Sequence, residues 1–95
     1  MARYISLLKF TEHGASALKH STVRARAFTK AAEKAGVTVE AQYWTTGAYD
    51  GVLILRADDA ERALHCLTDL AAAGCVSTET MQAFDESEFH AIVGQ

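Results

Sequence analysis

Tyr49 and Asp50, in a segment bounded by Gly47 and Gly51, are the residues of this sequence best suited to chemistry. A phenol can donate a hydrogen bond to a ligand oxygen, and a neighbouring carboxylate can act as a base or orient the ligand. The same residues also suit a turn, in which Gly47 supplies a positive φ, Asp50 accepts hydrogen bonds from turn amides and the Tyr49 ring packs over a sheet edge. The sequence favours the structural interpretation and leaves the functional one open.

Glu40 is the third candidate catalytic residue. It alternates with Gln42 and Trp44, and if their face is the open face of a sheet, they line a pocket with Tyr4 and Ser6. A half-buried carboxylate beside an indole would have a raised pKa, because desolvation disfavours its charged form, and this suits a general base near neutral pH. A solvated edge position for Glu40 is the alternative. The more apolar face of the same run, which ought to face the helices, holds Val37, Val39, Ala41 and Tyr43.

Histidine and cysteine spacing predicts no metal site. The four histidines lack the spacing that presents two ligands to one ion, and Cys66 and Cys75 lack a CxxC pattern and are expected to be reduced structural thiols. His13 follows the first predicted strand and could approach a pocket rim, and Glu79 is a further candidate carboxylate. The predicted ligand-binding residues are Tyr4, Ser6, His13, Glu40, Trp44, Tyr49 and Asp50.

Charge and composition disfavour several classes of partner. A net charge of −3 is unsuited to binding a polyanion, and the basic residues between Lys19 and Lys30, including Arg24, are expected to form a solvated helix face. The chain has neither a glycine-rich phosphate loop nor a nucleophile elbow, so we expect no cofactor. No apolar run approaches the ~20 residues that cross a bilayer, and no signal peptide is recognisable, so a cytoplasmic location is expected.

Hydrophobic runs and breaks predict the elements that must position these residues. A first strand spans residues 3–10, and a helix is capped near Ser21 or Thr22, where a hydroxyl can accept from the first-turn amides, and is ended by Gly36. Residues 37–44 and 52–55 then form a hairpin around the Tyr49 segment, because β-branched, aromatic and apolar residues flank a glycine-bounded turn.

The second half of the sequence predicts a helix, a strand and a last helix, and the chain shows no internal repeat. Asp58 and Glu61 have the spacing of a capping box at a helix start, and Gly74 ends this helix. Residues 75–83 alternate as a fourth strand, and Asp85 with Glu88 caps a short last helix. The order β-α-β-β-α-β with a C-terminal helix predicts a single ferredoxin-like α+β domain over residues 1–95, with a four-stranded antiparallel sheet.

Both long helices would cover one face of this sheet and leave the other open. A chain of 95 residues has little interior, so an apolar open face is expected to be buried against a second copy of the chain. The predicted partners are therefore further copies of the chain and a small molecule. The residues expected on the open face are Tyr4, Leu8, Phe10, Trp44, Val52 and Ile54.

Several segments together resemble the bacterial GYD-domain family. They are residues 4–11 (YISLLKFT), Gly14, residues 43–50 (YWTTGAYD) and residues 76–80 (VSTET) followed by Ala83 and Phe84, with Gly47, Tyr49 and Asp50 as the motif that names the family. The resemblance spans nearly the whole chain. It implies a ferredoxin-like subunit that pairs into a dimeric α+β barrel, and it supplies no catalytic residues.

Two functions follow as expectations. The first is binding of a small, partly apolar ligand in a pocket at the sheet face or subunit interface, with acid–base chemistry if the protein is an enzyme. The alternative is a non-catalytic module, either an assembly component or a ligand-responsive regulator.

Overall fold

The computed structural model describes residues 1–94. The order of strands and long helices is the predicted one, so the ferredoxin-like α+β arrangement is confirmed. A short helix and a 3-10 turn, Leu18–His20, precede the first long helix. The elements are β1 Ala2–Phe10, α1 Glu12–Ser16, α2 Ser21–Lys34, β2 Thr38–Trp44, β3 Gly51–Ala57, α3 Ala60–Ala72, β4 Val76–Ala83 and α4 Glu86–Val93.

The four strands form one antiparallel sheet in the order β2-β3-β1-β4. Strand β1 lies in the middle, pairing Tyr4 with Leu55 on one side and with Gln82 on the other. The core lies between the sheet and the helices α2 and α3. Its buried members are Tyr4, Ala32, Val37, Leu53, Leu55, Ala57, Ala63, Cys66 and Leu67.

The predicted assignment of β1 side chains to the two faces is inverted. Tyr4 is a core residue and Leu8 packs against the core, so their face is the one covered by helices. Ser6, on the same face, is fully buried, and its hydroxyl shares a hydrogen bond of 2.9 Å with that of Thr80. The odd-numbered residues, such as Ile5, therefore lie on the open face. Both faces of β1 are apolar, and alternation alone does not say which is inside.

The open face is built from the other half of each strand. Ile5 pairs with Ile54 and Leu7 with Val52, so the prediction of Val52 and Ile54 on this face is correct. Phe10 lies on the same helix-covered face as Tyr4 and Leu8, contrary to expectation. On the outer strands, the exposed Met81 and Tyr43 are the register partners of Ile5 and Val52 and extend the apolar surface of this face.

A β-bulge in β2 explains why its predicted alternation fails. The register shifts between Val39 and Ala41, so Glu40 is an additional residue and the alternation reverses after it. Val39 packs against the core as expected. Beyond the bulge, Gln42 and Trp44 face the helices, where the Gln42 amide donates to the Thr29 hydroxyl (2.7 Å) and the Trp44 indole donates to the Ser21 hydroxyl (2.9 Å). Ala41 and Tyr43 lie on the open face, contrary to expectation.

Most helix ends follow local chemistry, but the predicted cap at Ser21 or Thr22 is wrong, because α2 already includes both residues and His20 at its N-cap position makes no side-chain cap. The capping box of Asp85 and Glu88 is present as predicted, whereas the side-chain cap of α3 is Asp59, which accepts from the Arg62 amide, rather than Asp58. Gly36 follows α2 with φ +83°, as the prediction that it ends the helix requires.

Helix α4 leaves its apolar side chains uncovered. None of its residues is buried, and Phe89, Ile92 and Val93 are 56%, 58% and 60% exposed. Within residues 1–94, no helix combines the length and apolar character needed to span a bilayer.

Candidate functional site

Asp50 connects the β2–β3 turn to strand β1. Its carboxylate oxygen Oδ2 accepts from the Phe10 amide at 2.8 Å, and its own amide donates to the Leu8 carbonyl at 2.8 Å. Its carbonyl accepts from the Thr45 amide at 2.9 Å, which closes the turn. Asp50 therefore joins the β2–β3 turn to strand β1 through both its side chain and its backbone. This arrangement suits the structural interpretation of the Tyr–Asp pair.

Tyr49 reaches across the end of β1 to strand β4. Its hydroxyl donates to Glu79 Oε2 at 2.5 Å, and this hydrogen bond and the carboxylate charge raise the pKa of Tyr49. Glu79 is the register partner of Leu7, so the contact lies on the open face. A phenol with a raised pKa is a poorer acid than free tyrosine, and its proton is already committed to a carboxylate.

Glu40 is held by two guanidinium groups on the open face. Arg3 Nε donates to Glu40 Oε1 at 2.8 Å, and Arg56 Nη1 lies 3.7 Å from Oε2. The bulge turns Glu40 toward these two arginines, which are register partners across β1 and β3. The hydrogen bond from Arg3 lowers the pKa of Glu40, and the charge of Arg56 adds to the effect. The predicted raised pKa is therefore wrong, and Glu40 is a weak base at neutral pH.

The predicted ligand-binding residues do not converge on one site. Tyr4 and Ser6 lie beneath the helices, whereas Glu40 lies on the open face with Arg3 and Arg56. His13 is exposed on α1. Of the predicted set, only Trp44 and Asp50 line the cleft described next.

A cleft of about 330 Å³ separates α2 from the end of the sheet that carries the β2–β3 turn. This size falls at the lower end for small-ligand sites. It lies on the helix side of the sheet, away from the open face on which the pocket was expected. Its walls are largely apolar, with Trp44 among the aromatic residues. The other large apolar side chains are Leu8, Phe10, Phe28, Leu53, Leu70 and Val76.

Arg24 is the polar residue that distinguishes the cleft. Its Nη1 donates to the Ala17 carbonyl at 2.9 Å, whereas its Nη2 is closed off from solvent and has no hydrogen-bond partner among the described residues. Sequence reasoning placed Arg24 on a solvated basic face. The signal that could have separated it from its neighbours is its position four residues before Phe28, on the stripe of α2 that packs against the core.

Two carboxylates also line the cleft. Asp50 is engaged by the Phe10 amide, and Asp69 is largely exposed, 3.5 Å from the His65 ring. Neither has Arg24 as a hydrogen-bond or ion-pair partner among the described contacts. The cleft thus offers apolar walls and one cationic donor whose hydrogen-bonding capacity is incompletely used.

Comparison with known proteins identifies related sequences and folds. A model of the GYD domain matches residues 4–93. A protein of Thermus thermophilus named "Glutamine synthetase and cystathionine beta-lyase binding protein" is 34% identical over 84 residues, covering 87% of this chain and 88% of the relative. A crystal structure of a protein from Thermus thermophilus superposes with a TM-score of 0.58 at 25% identity, covering 90% of this chain and 95% of that one.

The relative's name corrects one prediction. The expected partners were further copies of this chain and a small molecule, whereas the relative is named for binding two other proteins. The restriction to those two kinds of partner is therefore wrong. The sequence did not indicate that other proteins are partners, because a surface that binds another protein uses the same apolar and aromatic residues as one that binds a second copy.

Proposed function

The chain belongs to the GYD-domain family, and from this membership and its relative we propose that it is a protein-binding module that attaches to metabolic enzymes such as glutamine synthetase or cystathionine beta-lyase. The observation that carries the proposal is the 34% identity to a protein named for binding these two enzymes. The alignment covers 87% of this chain and 88% of the relative, so the two share one whole structural unit rather than a short motif.

Helix α4 supports the proposal by its uncovered apolar side chains. Phe89, Ile92 and Val93 stand at i, i+3 and i+4, the spacing at which helix residues share one face. Such a stripe is the feature by which an amphipathic helix binds in an apolar groove of a partner protein. The capping box of Asp85 and Glu88 fixes the start of this helix, so the stripe is already formed in the free chain.

The candidate catalytic residues support a binding role over a reaction. Glu40 is engaged by Arg3 and Arg56, Asp50 by the Phe10 amide, and Tyr49 by Glu79. Each of these contacts joins separate strands or loops of the fold. Proton transfer by any of the three groups would compete with the contact that the group already makes.

Binding to the two enzymes can be tested directly with purified proteins. Glutamine synthetase and cystathionine beta-lyase from the organism that encodes this chain are each mixed with it and passed through size-exclusion chromatography with light scattering. We expect co-elution with at least one enzyme and none with serum albumin. Co-elution with neither enzyme would show the proposal to be wrong.

The contribution of α4 is tested by a matched pair of substitutions. Phe89→Ser removes an exposed apolar side chain from the stripe, and Leu64→Ser removes one from the exposed side of α3, where Leu64 is 66% exposed. We expect the first variant to bind more weakly and the second to bind as the wild type does. Equal binding by both variants would remove α4 from the contact surface while leaving the binding function in place.

A further inference from the structure

We propose that the cleft between α2 and the sheet receives an acidic group on an apolar segment of the partner protein, with Arg24 as the residue that binds the carboxylate. This inference rests on the proposed function and assigns it a site and a partner chemistry. Its first support is the guanidinium: Nη1 is engaged by the Ala17 carbonyl, and Nη2 has no partner among the described residues.

A cationic donor without a partner in an apolar setting is unfavourable, and a carboxylate is the group that best satisfies it. Charged hydrogen bonds of this kind are stronger than neutral ones, and a planar guanidinium suits the two oxygens of a carboxylate. Ala17 occupies only Nη1, and Nη2 lies beneath the surface, so a partner oxygen binds Nη2 once the atoms that cover it move aside. The described part of the free chain thus holds an unpaired donor, to which a partner carboxylate can form a hydrogen bond.

The two carboxylates that line the cleft do not pair with Arg24 in the described part of the free chain. Asp50 accepts from the Phe10 amide, and Asp69 is exposed beside His65. The other basic residues of α2, Arg26, Lys30 and Lys34, are exposed, whereas Arg24 is partly buried and lines the cleft.

The walls define the other half of the partner's chemistry. Trp44, Phe10 and Phe28 line the cleft with aliphatic side chains, and the indole of Trp44 is fixed by its hydrogen bond to Ser21. An apolar cleft of about 330 Å³ fits one large side chain of a protein partner, the kind of anchor that dominates protein interfaces. The segment that fits has an aromatic or aliphatic residue adjacent to Asp, Glu or a terminal carboxylate.

Affinity measurements on the full chain test this assignment. Biolayer interferometry gives the Kd of wild type and variants for each of the two enzymes, with folding checked by circular dichroism. Arg24→Met keeps an apolar stem and removes the donor, and we expect binding about 10- to 100-fold weaker, the equivalent of one charged hydrogen bond. Arg26→Met, the same change at an exposed position of the same helix, is the control and should bind within about twofold of wild type.

A second variant tests the cleft independently of Arg24, so that the proposal stays testable if Arg24→Met does not fold. Ala27→Phe narrows the cleft from an exposed position on α2, leaves Arg24 in place, and should also weaken binding. Sodium decanoate, an apolar chain with a carboxylate, is the probe for a free acid. It should quench or shift the fluorescence of Trp44, the sole tryptophan, and should compete with the enzyme.

The outcomes separate the two proposals. If the wild type binds and both cleft variants remain within twofold, the cleft assignment is overturned and the binding function stands. If decanoate binds in the cleft while enzyme binding is indifferent to decanoate and to Arg24→Met, the cleft takes free apolar acids, and the assignment to a protein segment is wrong. If the wild type binds neither enzyme, both proposals fail.

Discussion

Replacing Asp50 with alanine should destabilise the fold through the junction between the β2–β3 turn and strand β1. The substitution deletes the acceptor of the Phe10 amide, a hydrogen bond of 2.8 Å to a charged oxygen. Such a bond contributes roughly 1.5–3 kcal/mol, and the half-buried Phe10 amide would be left without its acceptor. The two backbone contacts of residue 50, to Leu8 and Thr45, remain possible. We therefore expect a loss of about 2 kcal/mol in the free energy of unfolding.

The size of this effect makes it measurable by thermal and urea denaturation. The entropy of unfolding for a chain of 95 residues converts ~2 kcal/mol into a decrease of about 10 °C in Tm. Asp50→Asn keeps an acceptor oxygen and loses only the charge, so its cost should be below about 1 kcal/mol. The order wild type, Asn, Ala in stability is the specific expectation.

Asp58→Ala is the matched control, because it makes the same change at an exposed aspartate just outside α3. It should alter stability by less than about 0.5 kcal/mol. The reasoning is refuted if Asp50→Ala is as stable as this control, or if the asparagine and alanine variants are equally destabilised.

Three further predictions concern other contacts. Gly14→Ala would place a Cβ 1.9 Å from the Cys75 carbonyl oxygen, so α1 must move away from β4; urea denaturation should show a loss of about 3 kcal/mol, and a loss below about 1 kcal/mol would contradict the close approach. The lowered pKa of Glu40 means that its ion pairs stabilise the fold above the ordinary glutamate pKa of 4.5 and that this contribution disappears as the pH falls through the lowered value. The Tm difference between wild type and Glu40→Gln at pH 7 should therefore vanish in acid, whereas Glu33→Gln, at an exposed site on α2, should show no such difference. Tyr49 has a raised pKa, so its contact with Glu79 stabilises the fold below the ordinary tyrosine pKa of 10.0 and is lost as the pH rises through the raised value. In ultraviolet titration, Glu79→Gln should move the ionisation of one tyrosine to lower pH, and Tyr49→Phe should remove that ionisation.

Element order was predictable because glycines and capping residues mark the helix ends clearly. Gly36 and Gly74 both adopt positive φ just beyond a helix, and Asp85 with Glu88 forms the box that its spacing indicates. The N-cap of α3 was predicted one residue early, because Asp58 and Asp59 are adjacent and either can cap a helix. In the structure, the N-cap is Asp59.

Face assignment was harder, because it depends on which of two apolar faces meets the helices. In β1 the two sets are similar in hydrophobicity, and the helices cover the one that holds Tyr4 and Ser6. In β2 an inserted residue shifts the register, and no local pattern marks Glu40 as that residue. The predicted pocket failed to assemble for this reason, since it relied on Glu40 and Trp44 sharing a face.

The contacts of the candidate residues were beyond sequence reasoning for a related cause. Glu40 meets Arg3 across 37 positions of sequence, and Tyr49 meets Glu79 across 30. Both contacts follow from strand register, which is fixed only when the whole sheet has formed. The unengaged donor of Arg24 depends likewise on how α2 sits on the sheet.

The bulge at Glu40 lets strand β2 carry one residue more than its pairing with β3 requires. Without this residue, Val39 and Ala41 would be adjacent and would keep the register partners that they have now. Gln42 and Trp44 would stay on the helix side of the sheet, and Tyr43 would stay on the open face. A single-codon deletion would thus remove the carboxylate that contacts Arg3 and Arg56 while leaving the other side chains of the hairpin on their present faces. A one-residue gap inside a strand, which an alignment would suggest is disruptive, is therefore tolerable at this position.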